Sequence, residues 1–152
     1  MRALLILLLT LGLGGAVGAA DATGRVIKVL PLFLDSQGRD AKSPSLFDRD
    51  AYQAYLREHT AEISAIRYDV QWSAAKSPAE KFKLRLELRG VGEASLPKLK
   101  TLETEVAPGT FRQWSNLTLG GDDYKKFGSV VAWRVTLWRG EQLLGEQKSF
   151  LW

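Results

Sequence analysis

The chain has no cysteine and a single histidine among its 152 residues, and both shortages exclude chemistry. Without cysteine there is no disulfide framework, so stability has to come from a packed core. A lipid anchor on an N-terminal cysteine is excluded as well. A lone histidine cannot furnish a multi-histidine metal centre, and a hydrolytic triad would have to be built around His59. Its company is poor for that role. Glu58 is adjacent and points elsewhere on a helix, and Tyr55, one turn earlier, is an ordinary packing partner. His59 reads as a structural or surface residue. No catalytic residue, metal ligand or cofactor is assigned. A strong excess of charge is also missing: 21 Lys and Arg against 17 Asp and Glu leave a net +4, too mild to point to nucleic acid.

The N-terminus supplies what the rest of the chain lacks, a continuous apolar run. Arg2 gives a short positive region, Ala3 to Leu13 an apolar stretch, and "GAA" and "ADA" place small residues before Asp21 and Thr23. This is the pattern of a secretory signal peptide over residues 1–20, cleaved after Ala20 or Ala22, and too short for a comfortable membrane span. Its removal takes away Arg2 and no acid, lowering the charge from +4 to +3. Residues 21–152 are long enough for one compact domain.

Beyond the leader, period-two alternation dominates. Ile66, Tyr68, Val70 and Trp72 share one face of "AIRYDVQWSA", and Phe82, Leu84, Leu86 and Leu88 share one face of "KFKLRLELRG". Both are half-buried strands. The loop 75–81 joins them around Pro78. "KTLETEV" reads as a weaker strand with Leu102, Thr104 and Val106 inward, and Pro108-Gly109 as a type II turn. In "TFRQWSNLTL" the apolar residues fall out of strict alternation, which predicts a bulge. "GGDDYKKFG" links it, with room for one helical turn, to "SVVAWRVTLW", apolar on both faces like a central strand. "EQLLGEQKSFLW" closes the chain as the last strand. "RVIKVLPLFLD" opens it, with Pro31 fitting only an edge or a place where a strand changes sheets.

About seven strands in this length predict two packed antiparallel sheets, a single β-sandwich with one short connecting helix. The layout resembles the immunoglobulin-like and fibronectin type III-like sandwiches. "GGDDYKKFGSVVAWRVTLW" is similar to the entry to their sixth strand, with Tyr124 near the tyrosine-corner position. The cysteine pair of antibody domains is absent. The resemblance implies an architecture and no particular activity. A small outer-membrane β-barrel is the rival, because "KSFLW" resembles the final strand of such barrels. It needs at least eight strands, however, and a lumen-facing register that "SVVAW" does not offer.

The helical insertion is expected around residues 46–59. Ser45 and Asp48 fit an N-cap, acids occupy the first turn, and Arg57 and His59 the last. Phe47, Ala51, Tyr55 and Leu56, bordered by Tyr52, give the apolar stripe of a strap lying on a sheet edge or a sandwich end. Asp35, Asp40, Asp48 and Asp50 collect nearby in residues 35–50. Arg39 and Asp40 break the EF-hand pattern, so these acids are read as turn caps and partners of Arg39 and Arg49 rather than calcium ligands.

Two surfaces are candidates for binding. Lys81, Lys83, Arg85 and Arg89 make one sheet face basic, able to meet an anionic envelope glycan or to pair internally with residues such as Glu87. Trp114 and Trp138 are out of register with the core tryptophans Trp72 and Trp133, and an exposed indole stacks on sugar rings. Glu103 and Glu105, the nearest carboxylate pair, read as surface. The expected protein is an exported, non-enzymatic binding or structural domain of the bacterial envelope, periplasmic or extracellular. Its expected partner is an envelope protein or an anionic glycan, with no nucleic acid and no stable membrane insertion.

Overall fold

Seven strands build the fold: β1 (Gly24–Asp35), β2 (Ile63–Ala74), β3 (Phe82–Val91), β4 (Pro97–Val106), β5 (Gln113–Gly120), β6 (Ser129–Arg139) and β7 (Gln142–Lys148). Helix α1 (Leu46–Glu58), followed by one 3-10 turn at Thr60–Glu62, joins β1 to β2, and α2 (Gly121–Phe127) joins β5 to β6. The computed structural model describes residues 23–75, 81–92 and 95–152. The expected leader and its cleavage sites lie outside the described residues, as does the loop 75–81 apart from its two ends.

The strands form two antiparallel sheets, ordered β1-β2-β5 and β4-β3-β6-β7. They face each other as a sandwich, and neither sheet closes into a barrel. The final segment explains why the barrel signature misleads. The last strand stops at Lys148, not at Trp152. Residues 149–152 then turn, the Trp152 N–H donating to the Ser149 carbonyl at 3.2 Å, and Phe150 is fully exposed.

The alternating runs bury the faces expected of them. Tyr68, Val70 and Trp72 from β2 meet Leu84, Leu86 and Leu88 from β3 and Val135 and Leu137 from β6 in one cluster. Burial of each such aliphatic side chain stabilises the fold by about 2 kcal/mol. Trp72 keeps its polar atom satisfied, its Nε1–H donating to Ser115 Oγ at 3.0 Å. Pro31 sits on β1, an edge strand, where its missing N–H breaks no ladder.

Three local expectations need correction. β5 begins at Gln113 and pairs with β2 without any register shift, so Phe111 is not part of the strand at all and is exposed. Strict alternation then runs through it, Trp114 outward and Leu117 and Leu119 inward. The register shifts lie instead at Val26/Lys28, Leu34/Asp35, Arg89/Gly90 and Leu137/Trp138. β4 is longer than "KTLETEV", starting at Pro97.

The third correction concerns α1. Ser45 does cap it, accepting from the Asp48 N–H at 3.4 Å, but the buried face is Tyr52, Gln53 and Leu56, while Phe47 is 81% exposed. Polar contacts rotate the helix away from its most apolar stripe. The Gln53 side chain accepts from the Phe33 N–H at 2.8 Å and donates to the Phe33 carbonyl at 2.9 Å. It thereby occupies the free edge of β1 as a neighbouring strand would. Tyr52 and Leu56 then pack with Ile63 and with the partly buried Phe33 and Tyr124, so α1 closes one end of the sandwich.

Candidate binding cleft at the end of the last strand

The clearest concavity follows from a mismatch of strand lengths. A tight turn at Gly140 pairs Arg139 with Gln142, and the β6–β7 ladder runs only as far as Arg134 opposite Lys148. Ser149 adds one more pair of contacts, its N–H donating to the Trp133 carbonyl at 2.9 Å and its Oγ accepting from the Trp133 N–H at 3.0 Å. The chain then leaves the sheet. Ser129–Ala132 therefore have β3 on one side and, among the described residues, no strand on the other.

Where β7 is missing, the sandwich gapes into a cavity of about 820 Å³. Phe33 and Ile66 line it from the first sheet, Val130 and Trp133 from the second. Gly128 shapes one rim. Its φ of +84° ends α2 and starts β6, and a side chain there would collide with the Val91 carbonyl, so only glycine lets β6 enter at this angle.

Two tyrosines give the cavity polarity. Tyr68 has no solvent exposure and stands edge-on to Trp133, with ring centroids 6.1 Å apart. Its hydroxyl is buried without a hydrogen-bond partner among the described residues, and burial, with the neighbouring Tyr124 phenol, pushes its pKa up. Tyr124 is itself raised by burial. An orphaned hydroxyl in an apolar site is costly, on the order of 1–3 kcal/mol.

Arg57 from α1 and Lys125 from α2 line the exposed mouth of the same cavity. Among the described residues neither takes part in an ion pair, whereas Arg39, Arg67, Lys83, Arg85 and Arg134 each contact a carboxylate. The mouth therefore carries two exposed cations without a carboxylate partner among the described residues.

The basic face at residues 81–89 has a different character. Lys81 pairs with Glu105 at 3.1 Å, Lys83 and Arg85 converge on Glu103 at 3.2 and 2.6 Å, and Arg134 reaches Glu87 at 2.8 Å. The Lys83 and Arg85 hydrogen bonds hold the Glu103 carboxyl below its ordinary pKa, Arg85 contributing most. The guanidinium of Arg85 lies 5.2 Å from the Trp138 ring centre, and those of Arg89 and Arg134 lie 4.0 and 4.9 Å from that of Trp152. Trp138 Nε1–H donates to Thr136 Oγ1 at 2.8 Å. These groups answer one another across strands. Trp114, half exposed, stands apart on the outer face of β5, near a shallower hollow of about 400 Å³ lined by Gly109–Arg112, Arg25 and Ser73.

No protein-family model matches the chain, and no curated protein matches it. Among solved structures, the crystal structure of selenomethionine-labelled β-glucosidase from Kluyveromyces marxianus aligns at 8% identity and a TM-score of 0.32. The alignment covers 84% of this chain and 14% of the β-glucosidase. A likeness that slight carries no inference about activity.

The aspartates of residues 35–50 are dispersed among separate partners. Asp35 is nearly buried and accepts from the Gln37 and Arg39 N–H groups, Arg39 Nε and the Tyr52 hydroxyl, all within 2.9 Å. Burial pushes its pKa up, but these four donors outweigh it and hold the carboxyl far below the usual carboxylate range. Asp40 contacts Arg67, Asp50 contacts Arg49, and Asp48 accepts from Ser43. Among the described residues, no three His, Asp or Glu side chains converge as a metal site would need. His59 ends α1, its Nδ1 lying 2.9 Å from the Tyr55 carbonyl and its ring stacked 3.9 Å from that of Tyr55.

Sequence reasoning named the paired cations and the outward tryptophans and missed the cleft. Its residues Tyr68, Trp133, Arg57 and Lys125 are ordinary core or helix-end residues in sequence. No signal in the sequence revealed it, because the last strand reads on to Trp152 and only the structure ends it at Lys148, seven residues against the eleven of β6.

Proposed function

We propose that this protein is an exported, non-enzymatic binding domain of the bacterial envelope, a protein-interaction module whose partner adds a strand at the open edge of β6. The observation that carries the reading is the bare edge at Ser129–Ala132 beside a roofless apolar cavity. Edge addition supplies affinity through main-chain hydrogen bonds and specificity through pockets for alternate side chains. The leader pattern supports export. The strand order supports a fibronectin type III-like sandwich, since the fourth strand pairs with the third rather than lying in the sheet of strands one, two and five, as constant-type immunoglobulin domains have it.

The experiment is photo-crosslinking in the native host from a photoreactive residue placed at Val131, with parallel placements at Arg85 and Trp114. A discrete protein adduct in the envelope fraction from position 131, absent from the other two, supports strand addition. Glycan binding, the second reading, draws on the half-exposed indole of Trp114. Retention on envelope polysaccharide that Trp114→Ala abolishes, with no adduct from position 131, would favour it instead.

A further inference from the structure

Resting on the strand-addition reading, we infer that the partner is an extended peptide with a mainly apolar anchor side chain and, two or four residues away on the same face, a carboxylate. The length of the bare edge sets the size. Four residues, Ser129–Ala132, at about 3.3 Å each, accommodate about four partner residues. Alternate ones then face the cleft.

The lining of the cleft is of two kinds. At the Trp133 end, Phe33, Ile66 and Trp133 form apolar walls. An anchor side chain that fills this space with hydrocarbon matches them. Lys125, four residues before Ser129, and Arg57 line the cavity from the two helices. Neither is in an ion pair among the described residues. A carboxylate arriving there gains two charge-assisted contacts on an accessible rim. Because the face repeats every second residue, anchor and carboxylate are separated by an even number of positions.

The outer strands β1 and β4 do not offer this combination. Gln53 and Gln147 already occupy hydrogen-bonding groups of β1, at Phe33 and at Ile27. β4 carries Lys98, Lys100, Glu103 and Glu105 along its length, the charged pattern that discourages pairing.

The test is selection of a randomised seven-residue peptide library against the purified protein, followed by titration of the enriched peptides. Enriched sequences are expected to share an apolar anchor and an Asp or Glu at even spacing. N-methylation of alternate peptide amides should weaken binding at least tenfold, and methylation of the intervening ones should not. The pair Arg57→Glu and Lys125→Glu should weaken binding about tenfold or more and abolish its salt dependence.

Alternate-amide sensitivity without carboxylate preference, and indifference to the charge reversals, would overturn the partner chemistry and leave strand addition standing. Absence of enrichment, or of the alternate-amide pattern, would overturn both. Decanoate binding that shifts Trp133 emission, with no peptide enriched, would assign the cavity to a small amphiphile and overturn both as well.

Discussion

Two free edges in this sandwich have been treated differently. The edge of β1 is guarded by side chains that imitate a strand: Gln53 takes both the N–H and the carbonyl of Phe33, and Gln147 donates to the Ile27 carbonyl at 3.2 Å. The edge of β6 beyond Trp133 has no such cover. Exposed ladders are liabilities that folds usually blunt. A fold that recruits a helix to blunt one edge and leaves the other open beside a cavity separates protection from availability. The difference lies in the side chains that cross the gap rather than in the strands themselves.

The contrast can be broken from the guarded side first. Asp35 anchors the β1–α1 corner, and Asp35→Ala should destabilise by roughly 3–5 kcal/mol, as loss of a buried, multiply bonded carboxylate does, read as a lowered midpoint in urea. The same carboxylate predicts acid sensitivity. Its folded pKa is depressed, so its stabilisation is present above the ordinary unfolded value near pH 4 and is lost as the pH falls from there toward the folded value. Unfolding midpoints measured from pH 6 to pH 2 should decline over that range, and decline less in Asp35→Asn.

Gln53→Ala removes the strand surrogate and leaves the Phe33 backbone unpaired, costing about 2–3 kcal/mol. It should also make the protein self-associate with rising concentration, seen by sedimentation velocity. A variant that stays monomeric would show that β1 needs no guard. On the open side, Tyr68→Phe removes a hydroxyl that folding strands, and should raise stability by about 1 kcal/mol. A clear loss would mean that the hydroxyl has a partner in solution. Smallest is His59→Ala, expected within about 0.5 kcal/mol of the parent in a thermal melt, since its ring only stacks on Tyr55 at the helix end.

The sheets were legible because burial on one side of a strand imprints a period of two. Residues 66–72 and 82–88 could be oriented without any structure, and the cross-strand partner of Glu87 was foreseeable as an arginine. The helix was legible as an element but not in orientation. Hydrophobicity favoured Phe47, while the structure favours Gln53, because two backbone hydrogen bonds on β1 outweigh one aromatic contact. The cleft was illegible for a related reason. It is made by what β7 fails to do, and "KSFLW" alternates well enough to read as a continuing strand. Only Ser149, which bonds to Trp133 once and then turns away, shows that it does not.

The position of Trp133 has an optical consequence. Its indole forms a wall of the cleft and meets Tyr68 edge-on, whereas Trp72 is fully buried and Trp114 is half in water. With the other four indoles replaced by phenylalanine, its emission colour and its access to a dissolved quencher would report whether the cleft is filled, without any label attached.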